Sequence, residues 1–459
     1  MPNITITGTS QEVLNAIRNA SSVDYKNFVP YAADNAGAVK EIGGIIMQMP
    51  QLQNEFLSNL VNLIGNQIVT SKLFNNPWRV FKRNTMGYGM TEEEIFVDLA
   101  KGFPYDPAYA EAKVFEREKP DVRAAFHPMN CQGFYKTTIQ LADLRKAFLT
   151  ENGLNYLVEK ITEALYTSAN YDEFCSMKYL LASQILKGLV PPTDVSSAST
   201  GETLQKEYAA KFRELSNNFE FLSTNYNPAG VHNFSDKSRQ YLIMNAASNA
   251  QLDVTVLAAA FHLDKADPSL AGRLILVDNF GTNDYGRLQD LYGSDGVQIQ
   301  VPDSGAIAAL NAIPAVLVDE DFFRVYDNLV IANEIENQQG LFWNYFLHTW
   351  KTYSLSPFAN ATIFTPTAPN VSAISLSPAS ASVANGDNVH FTPTVTFTGF
   401  APHGITWSIS GNTSDDTYIG SDGTLHVASD EESGTITVTA KSAFKPSVTQ
   451  TASVTVTAS

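Results

Sequence analysis

The sequence predicts an α+β protein followed by a separate all-β sandwich, and three observations carry that prediction. One stretch, Leu154 to Gly188, holds a helical apolar repeat with no proline in it. From residue 202 to 318 helix-like and strand-like stretches alternate. Beyond Pro366 the composition shifts abruptly to Ser, Thr, Val, Gly and Pro in short alternating runs.

In the first stretch apolar residues recur at steps of three and four: Leu154, Leu157, Val158, Ile161, Leu165, then Phe174, Met177, Leu180, Leu181, Ile185 and Leu186. That spacing buries one face of a helix. Gly188, followed by Pro191 and Pro192, stops it. At about 1.5 Å per residue it spans about 50 Å, a spine for other elements to lie against. Two shorter helices broken near Ser168 to Asp172 are the alternative.

Residues 1–65 read as a short strand (Ile4, Ile6) and helical pieces. Ser10 caps Val13, Leu14 and Ile17, and a second helix runs through Leu52, Phe56, Leu60, Leu63 and Ile64 to Gly65. The weakly patterned Ala32–Gly44 between them suggests an extended N-terminal arm. Residues 66–130 differ. Lys72, Arg79, Lys82 and Arg83 form a basic patch around Asn76-Pro77-Trp78. Thr91 and Glu94 have capping-box spacing, with Met90 and Ile95 as a hydrophobic staple, yet Glu94 to Leu99 alternates like a strand. The segment reads as a protruding two-stranded loop that needs a partner to bury its apolar positions, or else as a small β-rich subdomain.

After a Ser/Thr-rich loop at Thr193–Gly201, helices are expected over Leu204–Leu215, Lys237–Ala247 and Val254–Phe261. Strands are expected at Leu274–Asp278 and Ala315–Asp319. Residues 321–366 turn strand-like and aromatic, and Leu341–Trp350 is apolar on both faces, as in a fully buried strand. Residues 367–370 link to the sandwich of 371–459. Its strands are Ala373–Leu376, Val389–Phe397, Ile405–Ile409, Gly423–Val427, Thr435–Ala440 and Ala452–Thr457.

Totals narrow the function. The 459 residues suit roughly three domains. A net charge of -17 is a poor basis for gripping nucleic acid over a broad surface, where affinity comes from Lys and Arg. Cys131 and Cys175 fit reduced, buried thiols. No basic, apolar leader opens the chain, and no apolar run approaches the ~18 residues of a membrane span. A soluble product without export or membrane partners is expected. The seven histidines are scattered, no phosphate-loop or Gly-x-Ser-x-Gly pattern occurs, and Asp319-Glu320-Asp321 reads as a strand-ending turn. No catalytic, cofactor or metal site is expected, and no enzyme.

The order of parts resembles a tailed-phage major capsid protein of the Hong Kong 97-type fold, in particular the head protein of phi 29-like podoviruses. The matching stretches are Ala112–Pro120, Gly133-Phe134-Tyr135, Val318-Asp319, Val325–Leu329, Gly340-Leu341, Trp343-Asn344-Tyr345 and Pro357–Ala361. The resemblance implies an N-terminal arm (1–65), an extended loop (66–130), a peripheral domain with the spine helix (131–190), an axial domain (191–320) and peripheral return strands (321–366). Residues 371–457 resemble the group 2 bacterial immunoglobulin-like (BIG2) domain at Ile374, Pro378, Gly386, Thr406-Trp407-Ser408, Ser421–Leu425 and Val438-Thr439-Ala440. Trp407, Leu425 and Val438 would then be core residues, and the module would sit on the outer surface of the head, with weak binding to a host surface as its further use.

By function, the resemblance implies a structural subunit of a virion capsid, assembled in the host cytoplasm. It would build hexamers and pentamers of an icosahedral or prolate shell around double-stranded DNA, with a separate scaffolding protein and a portal (connector) protein as partners. The basic patch Lys72, Arg79, Lys82, Arg83 is expected to meet acidic residues of a neighbouring subunit. A lysine–asparagine cross-link, known in some relatives of the fold, finds no motif around Lys72, Lys82 or Lys101. The alternative is a cell-surface adhesin or carbohydrate-binding protein, since such modules occur there too.

Overall fold

A single unbroken helix, α6 (Gly153–Leu186), 34 residues long, runs through the centre of the chain. The computed structural model describes residues 10–33, 36–65, 74–87, 89–103, 117–148, 153–255, 273–293 and 299–457. Expectations about Ile4 and Ile6, Lys72, the Ala112–Glu116 part of the matching stretch and the helix beyond Thr255 lie outside them. Asp172 and Glu173, at the polar stretch where a break was the alternative, are buried and ion-paired, so helix continuity there has a tertiary reason. The helix ends as expected: Gly188 has φ +66, its N–H donates to Ile185 O, and Leu189 N–H donates to Gln184 O.

Residues 10–65 are not an extended arm. They fold into α1 (Ser10–Ala20), α2 (Val23–Phe28), α3 (Ala36–Gln48) and α4 (Pro50–Gly65). Val13, Ile17, Ile42, Ile46, Phe56, Leu57 and Leu60 share one core with Ile161 and Leu165 of the spine. Among the small residues of α3, Val39, Ile42 and Ile46 keep steps of three and four, enough to bury a helix face once a surface is there to receive it. That surface is an antiparallel sheet of β3 (Cys131–Gln140), β9 (Phe342–Leu355) and β8 (Phe323–Asn337), in the order β3-β9-β8. Ile139, Trp343, Tyr345 and Leu347 turn one face of it into the same core. The short α5 (Leu141–Ala147) joins β3 towards the spine. Preceding β3, β1 (Glu92–Val97) and β2 (Val122–His127) pair as a two-stranded antiparallel ribbon.

A second sheet has the order β4-β10-β7-β5-β6, made of β4 (Pro192–Asp194), β5 (Gln240–Asn245), β6 (Leu274–Val277), β7 (Ala315–Asp319) and β10 (Ala361–Thr365). Helices α7 (Gly201–Asn218) and α8 (Ala246–Thr255) pack on it, α9 (Tyr285–Tyr292) lies against β3 and the spine, and α10 (Ser304–Asn311) precedes β7. Two expectations are corrected here. Residues 240–245 form an inner strand, not part of a helix over Lys237–Ala247, because the backbone pairs with β6 and β7 while Leu242 and Met244 are buried in the core on one face and Ile243 in the core on the other. Residues 361–365 pair with β7 and β4, so they belong to this sheet and not to the strands that return alongside β3.

From Asn370 onward the chain is all β: β11 (Asn370–Ser377), β12 (Ser380–Ala384), β13 (Asn388–His390), β14 (Thr392–Thr398), β15 (Ile405–Ser410), β16 (Tyr418–Ile419), β17 (Thr424–His426), β18 (Gly434–Ser442) and β19 (Thr449–Thr457). The sheets β11-β14, β12-β19-β18-β15 and β13-β17-β16 enclose one core. Leu425 and Val438 are fully buried in it, and Trp407 packs against it half-buried. The expected run Val389–Phe397 is two strands, interrupted at Phe391, which is fully buried.

Candidate assembly surface

Among the described residues no group of three metal-ligating side chains occurs, and no helix is long and apolar enough to cross a membrane. Both cysteines are free and buried. Asp319-Glu320-Asp321 is the expected turn: Asp321 N–H donates to the Asp319 carboxylate and Phe322 N–H to Asp319 O. Burial raises the Asp319 carboxyl despite Ser235 and Arg239 beside it.

Within the described part of 66–130, the segment is anchored at its base. Trp78 is fully buried, edge-on to Phe81 and Phe174 and tilted against Phe323. Asn76 Nδ2 donates to Glu173 Oε1 (2.9 Å), and Asn76 Oδ1 accepts from Trp78 N–H (2.9 Å). Lys82 Nζ lies 2.9 Å from Glu173 Oε2 and 2.7 Å from Asp327 Oδ2, and Lys351 also pairs with Glu173. Burial would raise the Glu173 carboxyl, but Lys351 and Lys82 outweigh it and hold it at about 2. Burial likewise works against the Lys82 ammonium, yet Glu173 and Asp327 win and raise it. Arg83 pairs with Asp321 and donates to Glu320 O (3.0 Å).

Lys82 and Arg83 are therefore engaged by acids of their own chain, contrary to the expectation of a neighbour's acids. The reason is topological: the chain enters the loop beside the acidic mid-point of the spine and the β7–β8 turn. Arg79 is exposed, and Lys72 lies outside the described residues.

The ribbon itself is two-faced. Glu92, Glu94, Phe96 and Asp98 turn to the body. Glu94 accepts from Arg324 Nη2 (2.6 Å) and Ser356 Oγ (2.9 Å), and shares a hydrogen bond with His127 Nε2 (3.2 Å). Burial raises the Glu94 carboxyl, but the His127 hydrogen bond and the Arg324 charge prevail and hold it below its ordinary range. Phe96 stacks on Phe358 at 5.5 Å, and Asp98 meets His232 Nδ1 at 2.9 Å. The capping-box signal at Thr91–Glu94 loses to the strand because this carboxylate is taken by Arg324.

The alternate positions face outward. Ile95 is 60% exposed, Val97 58%, Val122 53% and Phe126 63%. Glu93 lies opposite Phe126, Ile95 opposite Ala124 and Val97 opposite Val122, so these side chains form one strip. Leu99 and Phe103 continue it beyond β1, and both are exposed.

A second bare surface lies on the β3-β9-β8 sheet, opposite its helical layer. Contrary to the expectation from sequence, the apolar second face of Leu341–Trp350 is not fully buried within the chain: Phe342, Phe346, His348 and Trp350 are half-buried there. Phe134, Phe346 and His348 cluster there, with ring centroids 5.5–6.3 Å apart. Lys136 Nζ stands 5.8 Å over Phe346, and Ile331 and Ile335 on β8 are exposed beside them. No carboxylate belongs to the alternate set Gln132, Phe134, Lys136, Thr138, Asn344, Phe346, His348, Ile331, Asn333 and Ile335.

The sequence profile of the Phi29-like phage major capsid protein family matches residues 14–365. The major capsid protein of Bacillus phage B103 is 37% identical over 426 residues, covering 92% of this chain and 88% of the relative. That of Bacillus phage PZA is 35% identical over 427 residues with the same coverage. That of Streptococcus phage Cp-1 is 29% identical over 362 residues, covering 76% of this chain and 92% of the relative. Among solved structures the capsid of Staphylococcus phage Andhra aligns with 14% identity and a TM-score of 0.48, over 65% of this chain and 87% of that one.

Proposed function

The chain belongs to the Phi29-like phage major capsid protein family, a structural subunit of the phage head and not an enzyme, and from that premise we propose how its copies assemble. The ribbon of one subunit lays its outward strip (Ile95, Val97, Val122, Phe126) on the bare sheet face (Phe134, Phe346, Ile331, Ile335) of the next. Exposed apolar area of this extent on an isolated chain marks an interaction surface. The observation that carries the reading is the two-faced ribbon: one face is ion-paired to its own body, which sets its direction, and the other has nothing within the described chain to cover it.

In this reading the subunits take the Hong Kong 97-type arrangement, form hexamers and pentamers, and close a shell around double-stranded DNA with a scaffolding and a portal protein. Of the basic patch, Arg79 is left free to meet a neighbour. The 371–459 module is a group 2 immunoglobulin-like domain on the outer surface; the burial of Leu425 and Val438 in its core supports the sandwich part of this reading. The matched relatives are capsid proteins, so the adhesin reading is set aside.

Ile95→Asp combined with Phe126→Asp tests the proposal. The variant should remain folded by circular dichroism yet yield no shells by electron microscopy when expressed with a scaffolding protein. Normal shells from it would refute the ribbon interface.

A further inference from the structure

The turn between β14 and β15 is built in a way that module folding alone does not call for. Ala401 N–H donates to Thr398 O, closing a four-residue turn whose two central residues, Gly399 and Phe400, have φ +60 and +57. Hairpin turns with two left-handed residues favour Asn-Gly, and a bulky residue in that region is a true outlier. Phe400 is nevertheless placed there, and it is 6% exposed. It does not join the module's core. It packs in the core of the body, with Ile185 at the end of the spine, Val190 and Ile363. Ala401 beside it is fully buried.

The spine terminus is shaped to match. A Cβ on Gly188 would lie 3.1 Å from Ala401 O and from His403 N, closer than most real contacts, so the module's turn sits directly on the helix cap. The connection is short and pinned. Four residues separate β10 from β11, Thr365 Oγ1 donates to Thr367 O (2.9 Å), and Thr398 Oγ1 donates to Ala368 O (3.3 Å). Backbone strain retained where the surroundings over-determine it points to a purpose for the strained residue.

We propose that Phe400 is a plug that locks the C-terminal module onto the end of the spine helix, so that module and helix move as one body. The module is then a fixed outrigger of the helix, and any tilt of the spine is carried to it. This does not depend on the ribbon interface, and it is read on unassembled protein.

Phe400→Asn in the full chain separates the two roles of the residue. Asparagine suits the left-handed turn, so the module itself keeps its fold, while the plug is lost. Proteolysis between Thr365 and Asn370 should become about tenfold faster, since local opening governs cleavage there. The single calorimetric transition expected of the native chain should split in two. Phe400→Leu, which still fills the socket, should restore most of the resistance. Gly188→Ala should behave like Phe400→Asn, whereas Gly201→Ala, also left-handed (φ +60) but with nothing within 4 Å, should not. Linker resistance and unfolding unchanged in Phe400→Asn, or Gly188→Ala no worse than Gly201→Ala, would overturn the lock. If Phe400→Asn lost its far-ultraviolet spectrum altogether, the two glycine variants decide.

Discussion

The Lys82 ammonium lies 2.9 Å from the carboxylate of Glu173, a residue 91 positions further along the chain and only 2% exposed. This pair fastens the segment that leads into the β1–β2 ribbon to the middle of the spine helix, and Lys351 and Asp327 complete the cluster. Removing Glu173 would leave two ammonium groups, Lys82 and the buried Lys351, sharing Asp327 as their one remaining carboxylate in the cluster. Glu173→Gln should therefore destabilise the subunit by about 3–5 kcal/mol in denaturant unfolding. Lys82→Met should cost less, because Lys351 still faces Glu173.

The same carboxylate predicts an acid limit. Its folded value is about 2 against an ordinary 4.5, so its contribution is complete above about pH 4.5 and is lost as pH falls from there toward 2. Unfolding midpoints followed across that window should drop more steeply in the native chain than in Glu173→Gln. Equal slopes would mean the cluster does not titrate as a unit.

Glu334 works in the opposite sense. It sits on β8 where α4 covers the sheet. Burial raises its carboxyl to about 7, with Glu336 adding to the rise and a hydrogen bond from Ser58 opposing it. The folded chain holds a proton that the unfolded chain gives up at its ordinary value of 4.5. Stability should thus decline as pH climbs from about 4.5 to 7 and stay lowered above that. Glu334→Gln should raise stability at pH 8 by about 1 kcal/mol, allowing for solvent screening at a half-buried site, and should leave pH 4.5 nearly unchanged.

The proposed interface makes a reciprocal prediction. Ile335→Asp on the sheet face should block shell formation as Ile95→Lys on the ribbon does, each by burying an unpaired charge. The double variant places opposite charges across the contact and should recover part of the assembly, scored as particles per unit protein by sedimentation. Failure of the double variant to exceed either single one would place the ribbon elsewhere on the neighbour.

How much of this was legible in the residues depended on the range of the forces involved. The spine helix could be read because its Ile161, Leu165, Met177, Leu181 and Ile185 stripe is a local pattern, and its end because Gly188 and Pro191 act locally. The packing of the helices in residues 10–65 is not legible in the sequence, because the small-residue stretch is stabilised by the sheet and spine beneath it, not by its own propensity. The strand at Gln240–Asn245 was hidden for a related reason: its pairing partners β6 and β7 and the helices α6 and α7 that bury its two faces are distant in sequence. The basic patch was visible as charge, but Lys82 pairs with Glu173 and Asp327 through topology, which spacing cannot show. The two faces of Leu341–Trp350 are both apolar for different reasons, one covered within the chain and the other half-buried.

Within the C-terminal module, Glu431 offers a local test of its architecture. Its carboxylate accepts from Thr413 N–H (2.6 Å), Thr413 Oγ1 (2.8 Å), Ser414 N–H (3.2 Å) and Thr417 Oγ1 (2.5 Å), and so ties the 413–417 loop to the segment before β18. Burial raises this carboxyl, but the donors from Thr417 and Thr413 prevail and hold it below its ordinary range. The tie is present above that ordinary range and weakens as pH falls through the lowered value. Glu431→Ala should strand the two amide donors and cost about 2 kcal/mol locally, seen as faster hydrogen exchange at Thr413 and Ser414. Exchange at Val438 and Val454, in the core strands behind, should change much less. If the core amides loosened as much as the loop amides, Glu431 would be holding the whole module and not only its loop.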